Sequence, residues 1–172
     1  MHRLLSIATI LCLVLLASCS STPESYTYKF VPGKSAVLQG KYALIPENCP
    51  EPVKRAVAAG NRLQGKPYIY GGGHRRIDDV GYDCSGTLSY VLHHAGLLKT
   101  PMASSEFRTF GKPGPGKWIT IYARRGHVFC TIAGLRLDTG YNGENEGPKW
   151  STRPRPTKAA LCVIFQVSRD LA

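Results

Sequence analysis

The segment DCSGTLSYVLHHAG, Asp83 to Gly96, constrains the fold of this chain more than any other. Leu88, Val91, Leu92 and Ala95 recur at i, i+3, i+4 and i+7, which predicts a helix starting near Cys84 and ending at Gly96. Asp83 or Ser85 can accept the amide N–H groups that a first helical turn leaves open. One apolar face of such a helix must be covered, and the residues after it supply the cover. A loop-like stretch of about twenty residues comes first, clearest at Gly111–Gly116 (GKPGPG). Then WITIYA, HVFCTI, LRLDTG and LCVIFQV read as strands, joined by RRG, by a tight turn at Ala133-Gly134, and by the long polar stretch NGENEGPKWSTRPRPTK.

Upstream, Val53, Ala56, Val57 and Leu63 predict an earlier helix, with Pro52 in its first turn and Gly65 as its stop. YTYKFV, residues 26–31, reads as a short strand. The order helix, helix, antiparallel meander predicts an α+β domain, its helices packed on an antiparallel sheet.

The first residues set the compartment. Arg3 precedes a leucine-rich apolar run from Leu4 to Leu16, too short to span a bilayer, and small residues follow it. Leu16-Ala17-Ser18-Cys19 resembles the lipobox of bacterial lipoproteins. That resemblance implies a leader over residues 1–18, cleavage before Cys19, and lipidation of Cys19. Ser20 and Ser21 follow without an aspartate, which implies an envelope protein anchored in the outer membrane and facing the periplasm. Residues 19–50 then form a lipid-anchored tether and N-terminal arm, and 51–172 the main domain. The chain carries 22 Lys+Arg against 11 Asp+Glu, a surface suited to a polyanionic neighbour; an exported address argues against nucleic acid as that neighbour.

Six cysteines are present and none forms a CxxC pair, so neither a zinc ribbon nor a thioredoxin-type motif is supported. Cys49, Cys84, Cys130 and Cys162 remain after the leader and Cys19; Cys130 and Cys162 fall on strands and read as buried thiols or one bridge. Gly71–Gly73 precede no GK[ST], which excludes a phosphate loop and leaves close packing beside a cleft. Asp78 and Asp79 read as a solvated turn rather than a metal site, and Tyr70, Trp118 and Trp150 as core or cleft walls.

Cys84 stands apart. A thiol acts as a nucleophile only when ionised, and a helix N-terminus and a neighbouring imidazolium both favour that form. Gly86 would keep the surface beside the sulfur open. The base must come from elsewhere in the chain. His127 opens a strand, so a sheet fixes it; His93 and His94 lie too far along the helix, and His74 sits in the glycine loop, where it could line a cleft. If Ala133-Gly134 closes a two-residue turn, Ile132 faces Leu135, and His127 and Asp138 become diagonal neighbours on one face, about 7 Å apart. A register shifted by one residue would offer Thr139 instead.

PYIYGG, GYDCSGTLSYVLHHAGLL and GHVFCTIAG, in this order, resemble the NlpC/p-sixty family of bacterial cell-wall cysteine peptidases, over about residue 52 to the C-terminus. The resemblance implies a papain-like fold and a catalytic domain over 51–172. It implies Cys84 as nucleophile and His127 as its base, and the substrate as a peptidoglycan stem peptide cut between D-glutamate and a diamino acid. No metal or organic cofactor is implied. Tyr68 matches a tyrosine whose hydroxyl lies near the nucleophile, and Ser85 and His74 fall where oxyanion or substrate contacts are made. The family commonly has a histidine as third residue; here Asp138 takes that place. A papain-like amidase or acyltransferase on another envelope substrate is a second reading. A non-catalytic wall-binding lipoprotein, its Cys84 buried or bridged, is a third.

The leader reading is tested by Cys19→Ala, which is expected to release the protein from membranes. Sedimentation with outer membranes by the variant would place the anchor elsewhere.

Overall fold

A computed structural model describes residues 25–140 and 146–157, together with the backbone of 161–165. The leader, Cys19 and the side chain of Cys162 lie outside the described residues. In chain order the elements are β1 (Ser25–Tyr26), β2 (Val37–Gln39), β3 (Tyr42–Leu44), α1 (Glu51–Arg62), α2 (Cys84–His94), a 3₁₀ turn (Glu106–Arg108), β4 (Lys112–Pro113), β5 (Ile119–Arg124), β6 (His127–Ile132), β7 (Leu135–Asp138), β8 (Lys149–Ser151), β9 (Arg155–Pro156) and β10 (Leu161–Phe165). The main sheet is antiparallel, in the order β4-β10-β5-β6-β7-β8; β2 pairs with β3, and β1 with β9. Among the described residues the architecture is mixed α and β, two helices with antiparallel sheets.

Strand alternation divides the sheet into two faces. Ile119, Ile121 and Ala123 of β5, Val128, Cys130 and Ile132 of β6, and Leu135 and Leu137 of β7 share one buried core with Leu88, Val91, Leu92 and Ala95 of α2. On the opposite face Tyr122 stacks on Phe129, 4.6 Å between centroids and 7° from parallel. α1 joins the core through Val53, Ala56 and Val57. Trp150 of β8 lies against Gly60, where any Cβ would overlap its ring, and its Nε1–H donates to Asn61 Oδ1 at 2.9 Å. Asn61 also brackets Ala43, accepting its N–H at 2.8 Å and donating to its carbonyl at 2.9 Å.

The β6–β7 hairpin has the register that the Ala133-Gly134 turn predicts: Ile132 opposite Leu135, Thr131 opposite Arg136, Cys130 opposite Leu137. Ala133 and Gly134 both have positive φ, 48° and 78°, the mirror-image turn that matches the twist of the flanking strands. Alanine is a poor residue for that conformation, and neighbours hold it there. Its N–H donates to the Trp118 carbonyl at 2.7 Å, and its own carbonyl accepts from Ala36 at 2.8 Å.

The two helices fall close to where the periodicity puts them, but four local expectations change. Of YTYKFV only Tyr26 lies in a strand, β1, and the chain turns back at Val31–Ser35, where the Lys34 and Ser35 amides both donate to the Val31 carbonyl. GKPGPG contains a short strand, β4. The polar stretch 142–158 carries β8 and β9; what anchors them is one buried tryptophan and one arginine rather than an alternating apolar pattern. Tyr70 is neither core nor wall, since it is 92% exposed. The described part of the arm is packed, with Ala36, Ala43 and Cys49 belonging to the same core as α1.

Gly86 also has a different role from the open surface expected of it. A Cβ there would run into the Gly72 carbonyl oxygen, so glycine lets α2 and the glycine loop touch. Helix propensity favours Gly86→Ala by about 1 kcal/mol. The backbone overlap outweighs this, and a net loss of about 3 kcal/mol is expected in denaturant unfolding. A neutral or stabilising result would show that the loop can retreat from the helix.

Candidate active site

Asp83, Cys84 and Ser85 form the start of α2, and Asp83 organises it. Its Oδ1 accepts from the Gly86 N–H at 2.7 Å, as a helix cap does, and from the Ser85 hydroxyl at 3.1 Å; His74 Nε2 also lies 3.1 Å away. Oδ2 accepts from the Gly71 N–H at 3.0 Å. One buried carboxylate thereby ties the glycine loop to the helix N-terminus. The Ser85 hydroxyl and His74 Nε2, 3.2 Å apart, are both committed to this knot. These contacts brace the helix start beside Cys84.

Cys84, half-buried, is the first residue of α2. His127 begins β6 and Asp138 ends β7. The hairpin register brings them together, with His127 Nε2 2.8 Å from Asp138 Oδ1. The Cys84 side chain neighbours the same imidazole and favours its cationic form, and since Nε2 faces Asp138, Nδ1 is the nitrogen left for the sulfur. Burial alone would push the imidazole down. The hydrogen bond to Asp138 and the company of Cys84, with the charge of both, outweigh it, and the His127 pKa is pushed up to about 9.

Two arginines complete the cluster. Arg136 Nη1 donates to Asp138 Oδ2 at 2.8 Å, and Arg155 Nε lies 3.1 Å from the same oxygen. The Thr139 N–H donates to Oδ1 at 2.8 Å. Neither arginine stands out in the sequence as a site residue. Arg136 was legible in retrospect, because strand alternation puts it on the face of Asp138 two residues away. Arg155 was not, because only the tertiary fold brings it there. Thr139 is 2% exposed, and its hydroxyl has no hydrogen-bond partner among the described residues.

Tyr68 is half-buried near the sulfur. Burial, then the charges of Cys84 and Asp83, raise its pKa, so its hydroxyl remains a proton donor. His94 packs on Tyr90, 4.3 Å between centroids, away from this cluster. Cys49 and Cys130 are free, buried thiols, both pushed up by burial, which leaves Cys84 the accessible one among the described cysteines. A cavity of about 290 Å³ opens behind Asp138, walled by Arg136, Lys149, Trp150 and Arg153; Cys84 and His127 are not among its walls. The arrangement is a helix-start thiol, an imidazole held cationic against it, and a buried carboxylate fixing the imidazole. It can supply a nucleophile and a proton carrier.

No family model matches the chain, and no curated protein matches it in sequence. Among solved structures it is similar to a mutated form of the Resuscitation Promoting Factor Interacting protein RipA, at 23% identity and a TM-score of 0.43, over 76% of this chain and 67% of that one. A likeness that loose carries no argument about activity.

The imidazole links stability to pH. A folded pKa of about 9, above the ordinary 6.5, means a contribution fully present below pH 6.5 and lost as pH rises through 9. The shift corresponds to about 3 kcal/mol at most. Unfolding free energies of the parent and of His127→Gln are expected to converge between pH 6 and 9.5. A difference that stays constant with pH would contradict the raised imidazole pKa.

Proposed function

We propose that the protein is a lipid-anchored cysteine peptidase of the cell envelope that hydrolyses an amide bond in the peptidoglycan stem peptide. The observation that carries this is the His127 imidazole, held 2.8 Å from Asp138 and raised to a pKa of about 9 in the company of Cys84. The motif order Tyr68, Asp83-Cys84-Ser85-Gly86, Gly126-His127-Val128 supports the same reading through its resemblance to the NlpC/p-sixty peptidases, and a D-glutamyl–diamino acid bond is the target that the resemblance implies.

In this mechanism the Cys84 thiolate attacks the amide carbonyl carbon. The carbon–oxygen double bond opens to an oxyanion, which the Tyr68 hydroxyl and the amide groups of the α2 N-terminus can meet. His127 gives its proton to the leaving nitrogen as the C–N bond breaks, leaving a thioester on Cys84. Neutral His127 then takes a proton from water as the hydroxyl attacks the thioester. When the C–S bond breaks, the acid product leaves, and the thiolate and imidazolium are restored. Asp138 stays a carboxylate throughout and holds the ring.

Digestion of purified stem peptides, followed by mass spectrometry, tests the reaction. Cys84→Ser is expected to lose several orders of magnitude in turnover while keeping its fold. Wall digestion by a folded Cys84→Ser protein would refute the nucleophile.

The third residue is tested separately. Asp138→Asn is expected to lower turnover by about tenfold to a thousandfold, since an amide can hold the ring but not its charge. Thr139→Val removes only a partnerless buried hydroxyl, and activity within about twofold of the parent is expected. The reverse order of effects would move the third role to Thr139.

A further inference from the structure

We propose that Arg155 is a positioning residue for the reaction proposed above, and that the N-terminal arm holds it in place. The two oxygens of Asp138 do different work. Oδ1 faces His127 and the Thr139 N–H, while Oδ2 faces the two guanidinium groups. A carboxylate held on one oxygen can present the other in a fixed direction, and this fixes the imidazole.

Arg136 cannot leave, since it sits two residues before Asp138 on the same strand and is 1% exposed. Arg155 differs because it lies on β9, outside the main sheet. β9 pairs with β1, Tyr26 opposite Arg155, and the Arg155 guanidinium lies over the Phe129 ring, 5.7 Å from its centroid.

The same arm grips the hairpin that sets the site. Tyr26 Oη donates to the Gly134 carbonyl at 2.8 Å, and the Ala36 N–H donates to the Ala133 carbonyl at 2.8 Å. Those are the two residues of the turn whose register makes His127 and Asp138 neighbours. Residues 25–36 therefore touch the site through its turn and through Arg155. Displacing the arm would loosen both supports of the His127–Asp138 bond without touching Cys84 directly.

The test reads two signals from the folded protein. One is the downfield NMR resonance of the His127 Nε2 proton, which reports the bond to Asp138 without any substrate. The other is kcat and KM on a stem peptide. Arg155→Met keeps the stem over Phe129 and removes the guanidinium; Arg155→Gln is read beside it in case either fails to fold. Both are expected to broaden or abolish the resonance and to lower kcat by about tenfold to a hundredfold, with KM within about twofold. Arg155→Lys restores the charge and is expected to recover much of both signals. Tyr26→Ala is expected to move both in the same direction by less; should it not fold, Tyr26→Phe, which removes only the hydroxyl on Gly134, takes its place.

A folded Arg155→Met or Arg155→Gln protein that keeps the resonance overturns the role of Arg155. Loss of the resonance in those variants but not in the Tyr26 variant overturns the role of the arm. A parent that cuts no stem peptide refutes the reaction proposed above, and the resonance then decides the positioning role alone.

Discussion

A buried carboxylate is costly unless charges and donors meet it, and Asp138 is met on both oxygens. Its neighbours come from four places: His127 from the facing strand, Arg136 from its own strand, the amide of Thr139 next to it, and Arg155 from a separate two-residue strand. Each of those contacts fixes an element of the fold. The β6–β7 hairpin, β7 and β9 thereby meet at one side chain that is 3% exposed. Asp83 plays the matching part at the start of α2, where a second buried carboxylate gathers the glycine loop, Ser85 and His74 around the residue before Cys84. The sheet and the helix are each pinned by an aspartate, and the thiol and imidazole meet between them.

This division explains why the glycines are where they are. Gly86 and Gly73 allow the helix start and the loop to approach until backbone meets backbone, so Asp83 can reach both. An open surface beside the sulfur would not need that contact. The basic character of the chain acquires a local meaning at the same time. Two of its arginines are spent inside, on Asp138, rather than on the surface facing a polyanion.

Much of this was legible in the residues. The 3.6-residue period located α2, the alternation in HVFCTI and LRLDTG located β6 and β7, and the two-residue turn set a register that placed Asp138, not Thr139, beside His127. These are local signals, each carried by fewer than about a dozen consecutive residues. Long-range pairing was not legible. β9 has no apolar pattern and exists because Arg155 finds Asp138 and Tyr26 lies opposite it. β8 carries no strand signal in the sequence because its one buried residue, Trp150, shows its partner Asn61 only once α1 is in place. The knot that Ser85 and His74 make with Asp83 is likewise a tertiary feature.

The central claim is that a buried, anchored carboxylate keeps His127 cationic against Cys84. The most direct measurement is the NMR titration of the His127 imidazole in the intact protein and in Asp138→Asn. The account predicts a midpoint at about 9 in the parent and a fall toward the ordinary 6.5 in the variant. A parent midpoint near 6.5, or one that Asp138→Asn leaves unmoved, would contradict it.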